Sequence, residues 1–253
     1  MSGSVIVGYD GSEGSQMALR WAAAAAKDRG RTLEIITTWS MPAADLGIGA
    51  SSTLQQELID ELRDEAQAAN DAGAQIAADM GVNAVGELVA GRTAAALVKR
   101  SEGAEMVVVG SHGAGGLTGF LLGSVSRQVA AHAKCPTVVV RPPVADMDGI
   151  VVGVDGSEHS LKALEWAFEQ ASFSGLPLHV VHSWEIPPTW SMVEVPSYEP
   201  EVLIRDYGNT ELRETSEAMA GFRENFPDVK VRQEVMKGSP VKALVKASEN
   251  AAL

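Results

Sequence analysis

The sequence predicts an α/β protein built from two domains in tandem, each a parallel sheet with helices on its faces. Three observations carry this. Short runs rich in Val and Ile alternate with longer helical stretches, as a parallel sheet with crossover helices requires. The stretch VIVGYDGSEGSQMALRWA (Val5–Ala22) returns as IVVGVDGSEHSLKALEWA (Ile150–Ala167), with Gly, Asp, Gly, Ser, Glu, Ser, Ala, Leu, Trp and Ala at equal spacing. Trp39 and Trp184 recur in step. A period of about 145 residues is too long for a solenoid unit and marks a duplicated domain.

In the first copy Val5–Gly8 reads as a short buried strand. Asp10-Gly11-Ser12 makes a turn, and a helix follows over Glu13–Arg29, its alanines and Trp21 suited to close packing on a sheet. Leu33–Trp39 is the second strand. Ser40–Ser52, with Pro42, Gly47 and Gly49, is a loop. Thr53–Met80 is a long helix with Glu and Asp on its exposed face, and Asn83–Val89 is the third strand. Gly91 breaks the chain before a helix over Thr93–Ser101. Met106–Gly110 is the fourth strand; its Val107–Val109 run is apolar and β-branched, as in a strand buried on both faces. A glycine loop, a helix reaching His132 and a last strand over Thr137–Arg141 complete the copy. Pro142-Pro143 and Asp146–Gly149 form a linker, dividing the chain into domains 1–143 and 149–253.

The second copy repeats the plan: strand Ile150–Val154, helix Glu158–Ser174, strand Leu178–Trp184, a Pro-rich loop, a polar helix ending near Asn225, strand Val229–Val235, Gly238 answering Gly91, and helix Val241–Asn250. Leu253 aligns with Met106. The fourth strand, glycine loop, fourth helix and fifth strand of the first copy have no counterpart in the second.

Composition bounds the function. The chain has 253 residues, 45% of them hydrophobic, and a net charge of −13. That charge argues against nucleic acid as the main partner, because phosphate neutralisation needs basic patches. The single cysteine, Cys135, excludes an internal disulfide. No charged n-region and apolar h-region open the chain, and no apolar run approaches the ~20 residues of a membrane span. The expected location is the cytoplasm.

The chemistry concentrates in Val107–Ser126, VVVGSHGAGGLTGFLLGSVS, with glycine at 110, 113, 115, 116, 119 and 123. Free N–H groups in such a loop, together with the N-terminus of the next helix, suit phosphate oxygens. Ser124 and Ser126 can cap that helix or donate to the same oxygens. No lysine follows Gly123, so this is not a P-loop, and Thr118 stands where a dinucleotide fingerprint needs its third glycine. Asp10 follows the first strand, where a doubly wound sheet opens its ligand crevice; it equally suits a capping role beside Ser12. The histidines show no metal-ligand spacing, and Cys135 reads as a buried structural thiol.

The spacing Gly110-x2-Gly113-x9-Gly123-Ser124 resembles the ATP-binding pattern of the universal stress protein family, matching it at all four positions. The resemblance implies a Rossmann-like domain of the adenine nucleotide alpha hydrolase type, with five parallel strands in the order 3-2-1-4-5, the second domain lacking the last two. It implies a nucleotide site formed by Gly8, Asp10, Thr38, Gly110, Ser111, His112, Gly113, Gly116, Gly123, Ser124, Val125 and Ser126. Phosphates would lie on Gly110–Gly116 and Gly123–Ser126, with ribose and adenine near Asp10 and the end of strand two. The implied cofactor is ATP with Mg, the implied role a stress-response regulatory module, and the implied self-association a pairing of fifth strands between copies or domains. Two alternatives stay open: a slow ATPase or nucleotide-transferring enzyme on the same fold, and a scaffold that binds no nucleotide. In the implied strand order Ile150–Val154 becomes an apolar edge, which favours a truncated second domain over a reduced one.

Overall fold

The four residues Val5–Gly8 (β1) lie at the centre of a parallel sheet because Val5, Ile6 and Val7 are buried on both faces. The computed structural model describes residues 3–40, 52–113, 122–143, 147–185 and 200–253, with the backbone alone at 52–54, 200–205 and 207. Gly11, at φ 78°, turns the chain after β1, and Ser12 caps Glu13–Asp28 (α1) by accepting the Ser15 N–H. Leu33–Trp39 (β2) pairs with β1, and Ala84–Ala90 (β3) pairs with β2 after the long helix Ser52–Asp79 (α2). Thr93–Arg100 (α3) leads to Met106–Gly110 (β4), which returns to the other side of β1. Ser124–His132 (α4) and Thr137–Val140 (β5) follow, giving the order β3-β2-β1-β4-β5.

Helix α1 lies on β1 and β4 with α2 beside it on β2 and β3, while α3 and α4 pack together on the opposite face. The close seat of α1 explains its composition. Ala18, Ala22, Ala23 and Ala26 are fully buried, and small side chains let the helix approach the sheet. Gly14 and Gly110 meet at the top of this seat: a Cβ on Gly110 would stand 2.6 Å from the Gly14 carbonyl carbon. On the other face Leu97, also fully buried, joins Ile6, Ile36, Val107, Val109 and Val129. Burial of a leucine side chain is worth about 1.5–3 kcal/mol. Arg29, at the end of α1, and Arg31 both pair with Glu105 and tie the helix to the start of β4.

The second copy holds Ile150–Val154 (β6), Glu158–Ser174 (α5), Leu178–Trp184 (β7), Pro200–Asn225 (α6), Val231–Lys237 (β8) and Pro240–Ala247 (α7). Its three strands are parallel, in the order β6-β7-β8. Phe168 of α5 stacks between Phe222 and Phe226, with ring centroids 5.6 and 5.8 Å away, over a core of Ile150, Val152, Leu178 and Val180. The chain divides into two compact units, Met1–Pro142 and Pro143–Leu253.

Two elements of this unit differ in their bounds from expectation. Strand β8 begins two residues later than Val229, because Val229 closes a turn through its N–H to the Phe226 carbonyl and packs against the core instead. All seven residues of β8 then pair with all seven of β7. Helix α7 begins at Pro240, whose fixed φ suits the first helical position, and it ends at Ala247. As expected, β6 is the end strand of its sheet. Its first residues nevertheless have a neighbour. The Ala252 N–H donates to the Gly149 carbonyl at 2.7 Å, and the Val151 N–H donates to the Leu253 carbonyl at 2.8 Å.

Candidate functional site

The carboxyl ends of β1, β2 and β4 converge with the N-termini of α1, α3 and α4 on one cleft of the first unit, about 330 Å³ in volume. This is where a doubly wound sheet opens, since β1 is followed on one side by β2 and on the other by β4. The lining includes Gly8, Asp10, Thr38, Gly110, His112, Gly113, Gly123, Ser124, Val125 and Ser126. Thus ten of the twelve residues named from sequence share one cavity. Gly116 lies outside the described residues. Ser111 does not line the cleft: it is buried at 4% exposure, its Oγ is 3.2 Å from His112 Nδ1, and its carbonyl accepts the Gly123 N–H at 2.8 Å.

At one end of the cleft sits the N-terminus of α4. Gly123 is its N-cap and supplies no side-chain acceptor, so the N–H groups of the first turn are open to a ligand. Ser126 does not cap the helix as the sequence allowed. Its Oγ donates back to the Gly110 carbonyl at 2.7 Å, stitching the helix to the end of β4. Ser124 is exposed at the rim. His112 has its Nδ1 beside Ser111 and a buried Nε2 with no hydrogen-bond partner among the described residues. An unmatched buried polar atom costs about 1–3 kcal/mol, so this ring nitrogen is suited to a phosphate oxygen.

Asp10 serves both the turn and the cleft. Its Oδ1 accepts the Ser12 N–H at 3.1 Å and the Ser12 hydroxyl at 2.5 Å. Ser12 is the cap of α1, so Asp10 supports the cap without being it. Its Oδ2 faces Gly113, 2.8 Å from where a Cβ would stand. Tyr9, next in the chain, is 4% exposed; burial first, and the Asp10 charge second, push its hydroxyl pKa up, with Arg20 opposing.

The opposite end of the cleft is formed by Thr38, Thr93 and Leu97. The hydroxyls of Thr38 and Thr93 lie 2.6 Å apart and tie β2 to the start of α3. Thr93, Ser15, Tyr9, Leu97 and Val109 were not singled out from sequence. A signal existed for Thr93: it follows Gly91, whose φ of 126° turns the chain at the cleft mouth. Trp39 and Arg92 are not among the lining residues; the Trp39 carbonyl instead accepts the Gly91 N–H at 2.8 Å.

The motif glycines separate by role. At Gly113 the backbone is outside the left-handed region, so the demand for glycine is one of space against Asp10. At Gly110 the demand comes from Gly14 of α1, which is packing.

The second unit keeps the floor of this site. Gly153, Asp155, Ser160 and Ser183 stand at the places of Gly8, Asp10, Ser15 and Thr38, but Pro240 replaces Thr93. Asp155 accepts the Ser157 N–H at 3.0 Å, and the Ser157 side-chain and backbone hydrogen bonds, then Ser160, lower its pKa to about 2. Among the described residues no group of His, Cys, Asp or Glu is placed to hold a metal ion, and no helix is long and apolar enough to cross a membrane. Cys135 is half-buried, and burial pushes its thiol up to about 11 against a backbone hydrogen bond from Val107.

Comparison with known proteins adds the following. The sequence profile of the universal stress protein family matches residues 1–141 and again 147–253. A universal stress protein of Mycobacterium bovis is 33% identical over 263 residues, spanning 98% of this chain and 84% of that protein. One from Mycobacterium tuberculosis strain H37Rv gives the same figures. Among solved structures, a universal stress protein from Archaeoglobus fulgidus DSM 4304 matches with a TM-score of 0.69 at 23% identity, over 98% of this chain and 84% of that one.

Proposed function

This chain belongs to the universal stress protein family, and from that premise we propose that its first unit binds ATP, accompanied by Mg, and works as a nucleotide-dependent regulatory module. The observation that carries the reading is the uncapped N-terminus of α4 facing the same cleft as Gly110, Gly113 and the unpartnered His112 Nε2. Backbone N–H groups at a helix start are a site for phosphate. The nucleoside then occupies the other end, beside Gly8, Thr38 and Thr93, with Asp10 between the two.

Charge supports the divalent ion. Among the described residues lining the cleft none is Lys or Arg, and Asp10 is itself an anion. A polyphosphate entering such a site needs its charge offset, and Mg bound to the phosphates supplies that without a protein cage. Chain atoms hold the nucleotide through N–H groups and hydroxyls.

Regulation follows from what the ligand joins. β1, β2, α3 and α4 each contribute to the cleft, so ATP favours whichever arrangement of these elements holds it better. β5 is one of the two end strands of the first sheet, and pairing of copies through it is the assembly this reading assigns. The test is chromatography of a perchloric-acid extract of the purified protein. ATP in near-stoichiometric amount is expected; an extract free of nucleotide, with no binding on adding Mg-ATP, removes the reading.

A further inference from the structure

We propose that His182 and Glu211 form a proton-held clasp that seats α6 on the sheet of the second unit and releases it as pH rises.

The geometry counts the protons. His182, on β7, is 8% exposed. Its Nδ1 lies 2.8 Å from the Val154 carbonyl at the end of β6, and its Nε2 lies 2.8 Å from Oε2 of Glu211 on α6. A carbonyl only accepts, and so does a carboxylate. A neutral imidazole has a single N–H, so it satisfies one of these partners and turns a lone pair on the other. Both contacts form together only when ring and carboxyl share one proton more than a neutral imidazole and a carboxylate hold. Imidazole is the stronger base, so that proton sits on the ring and the contact is an ion pair, its side chains 10% and 15% exposed. Without it a lone pair faces a carboxylate in a place nearly closed to water, which is repulsive.

The duplication supplies the contrast. By the repeat, Thr37 stands at the place of His182. Thr37 is 2% exposed. Its Oγ1 accepts from the Asn70 amide of α2 at 3.0 Å, and the same amide donates to the Ile35 carbonyl at 3.2 Å. An amide and a hydroxyl neither gain nor lose a proton near neutral pH. The long helix is therefore held on its second strand by neutral hydrogen bonds in the first unit and by a shared proton in the second.

Among the described residues, the surroundings leave the pair to itself. β6 turns the Val154 carbonyl to the ring, while Asp155, next along, accepts from Ser157. β8 places Val235 in register with His182; Lys237, in register with Trp184, is exposed. On α6, Asp206, Arg213, Glu214 and Glu217 are exposed, with Arg213 and Glu217 paired at 3.7 Å. α5 covers this face of the sheet with Leu164 and Phe168. Its Glu158 and Lys162 pair with each other, and Glu165 and Glu169 continue that side of the helix. His179 pairs with Glu234 on the opposite face of the sheet, by strand alternation.

The closed clasp binds one proton more than the opened pair. Its opening equilibrium therefore rises with pH, by up to about tenfold per pH unit. The test is hydrogen exchange on the full chain from about pH 6 to about pH 9, corrected for the intrinsic rise of exchange with pH. Protection at residues 181–183 and 215–219 is expected to fall at least about tenfold, while protection at residues 35–37 changes by less than about threefold. Glu211→Gln supplies an amide that donates to a neutral ring, so its clasp needs no extra proton and its protection should vary by less than about threefold. Nitrogen NMR of the His182 ring reads the same point in the unaltered chain. Both nitrogens should carry a proton while residues 215–219 stay protected, and one should lose it as protection falls. The proposal is overturned by protection of residues 215–219 that does not change across the range, or by a Glu211→Gln chain that keeps the pH dependence. It is also overturned by a singly protonated His182 ring in a chain whose α6 stays protected.

Discussion

Substituting Gly110 by alanine separates packing from ligand binding more sharply than any other change in the motif. The added Cβ would stand 2.6 Å from both the carbonyl carbon and the oxygen of Gly14, and 3.2 Å from its Cα. These are backbone atoms in the first turn of α1, so no side chain can swing aside. A second approach of the same turn is as tight: a Cβ on Gly14 would meet the His112 carbonyl oxygen, just beyond β4, at 2.4 Å. Helix α1 must lift from β4 by several tenths of an ångström, opening the seat of the buried alanines. Overpacking of this kind costs about 1–3 kcal/mol. For a unit the size of Met1–Pro142, at about 3–4 °C per kcal/mol, the melting temperature of the first unit falls by about 3–12 °C. Differential scanning calorimetry gives the shift, and hydrogen exchange in β1 and β4 locates it. An unchanged melting temperature and exchange pattern, with ATP binding lost, would show that Gly110 is needed by the ligand and would refute the packing argument.

Gly113→Val is the contrasting case. Gly113 is exposed and its backbone unstrained, so stability holds, but the side chain displaces the Asp10 carboxylate and crowds the phosphate end; ATP affinity in calorimetry should fall at least tenfold, about 1.4 kcal/mol, and unchanged affinity would remove the phosphate cradle. Asp155 should titrate near pH 2 by carboxyl NMR, since its pKa is lowered to about 2. Its folded value lies below its unfolded one, so the stability it adds is present above about pH 4 and is lost as pH falls through about 2. Ser157→Ala should move the midpoint up toward the ordinary carboxylate range, and a wild-type midpoint already there would contradict the hydrogen-bond account. Cys135, with its thiol pushed up to about 11, should react with a disulfide reagent at neutral pH at least about tenfold more slowly in the folded chain than in urea. Equal rates would show the thiolate to be accessible.

The fold was legible because its strands are short apolar runs between unambiguous punctuation. Val5–Gly8, Leu33–Trp39, Met106–Gly110, Ile150–Val154 and Leu178–Trp184 fall where their composition places them. The site was legible because the cleft is built from chain-continuous turns after strands, so Asp10, Gly110–Gly113 and Gly123–Ser126 converge once the strand order is known. What could not be read is what depends on contacts across the chain. Nothing local to Gly110 reveals that Gly14 presses on it. The Ser126 hydroxyl looks like a helix cap or a phosphate donor until the Gly110 carbonyl is seen beside it. Thr93 looks like an ordinary helix start until Thr38 meets it across the cleft. The start of β8 moved because a turn at Phe226–Val229, after the end of α6, took Val229, which composition alone assigned to the strand together with Lys230.

The most direct measurement of the central claim is isothermal titration of Mg-ATP into the full chain after removal of any copurified nucleotide. Among the described residues, only the first unit joins the glycine turn to an open α4 N-terminus, and the second unit has Pro240 in place of Thr93 and no matching α4. The expected result is a single class of site with one ATP per chain, lost in Gly113→Val. Two equivalent sites, or no heat and no retained nucleotide by equilibrium dialysis, would contradict it.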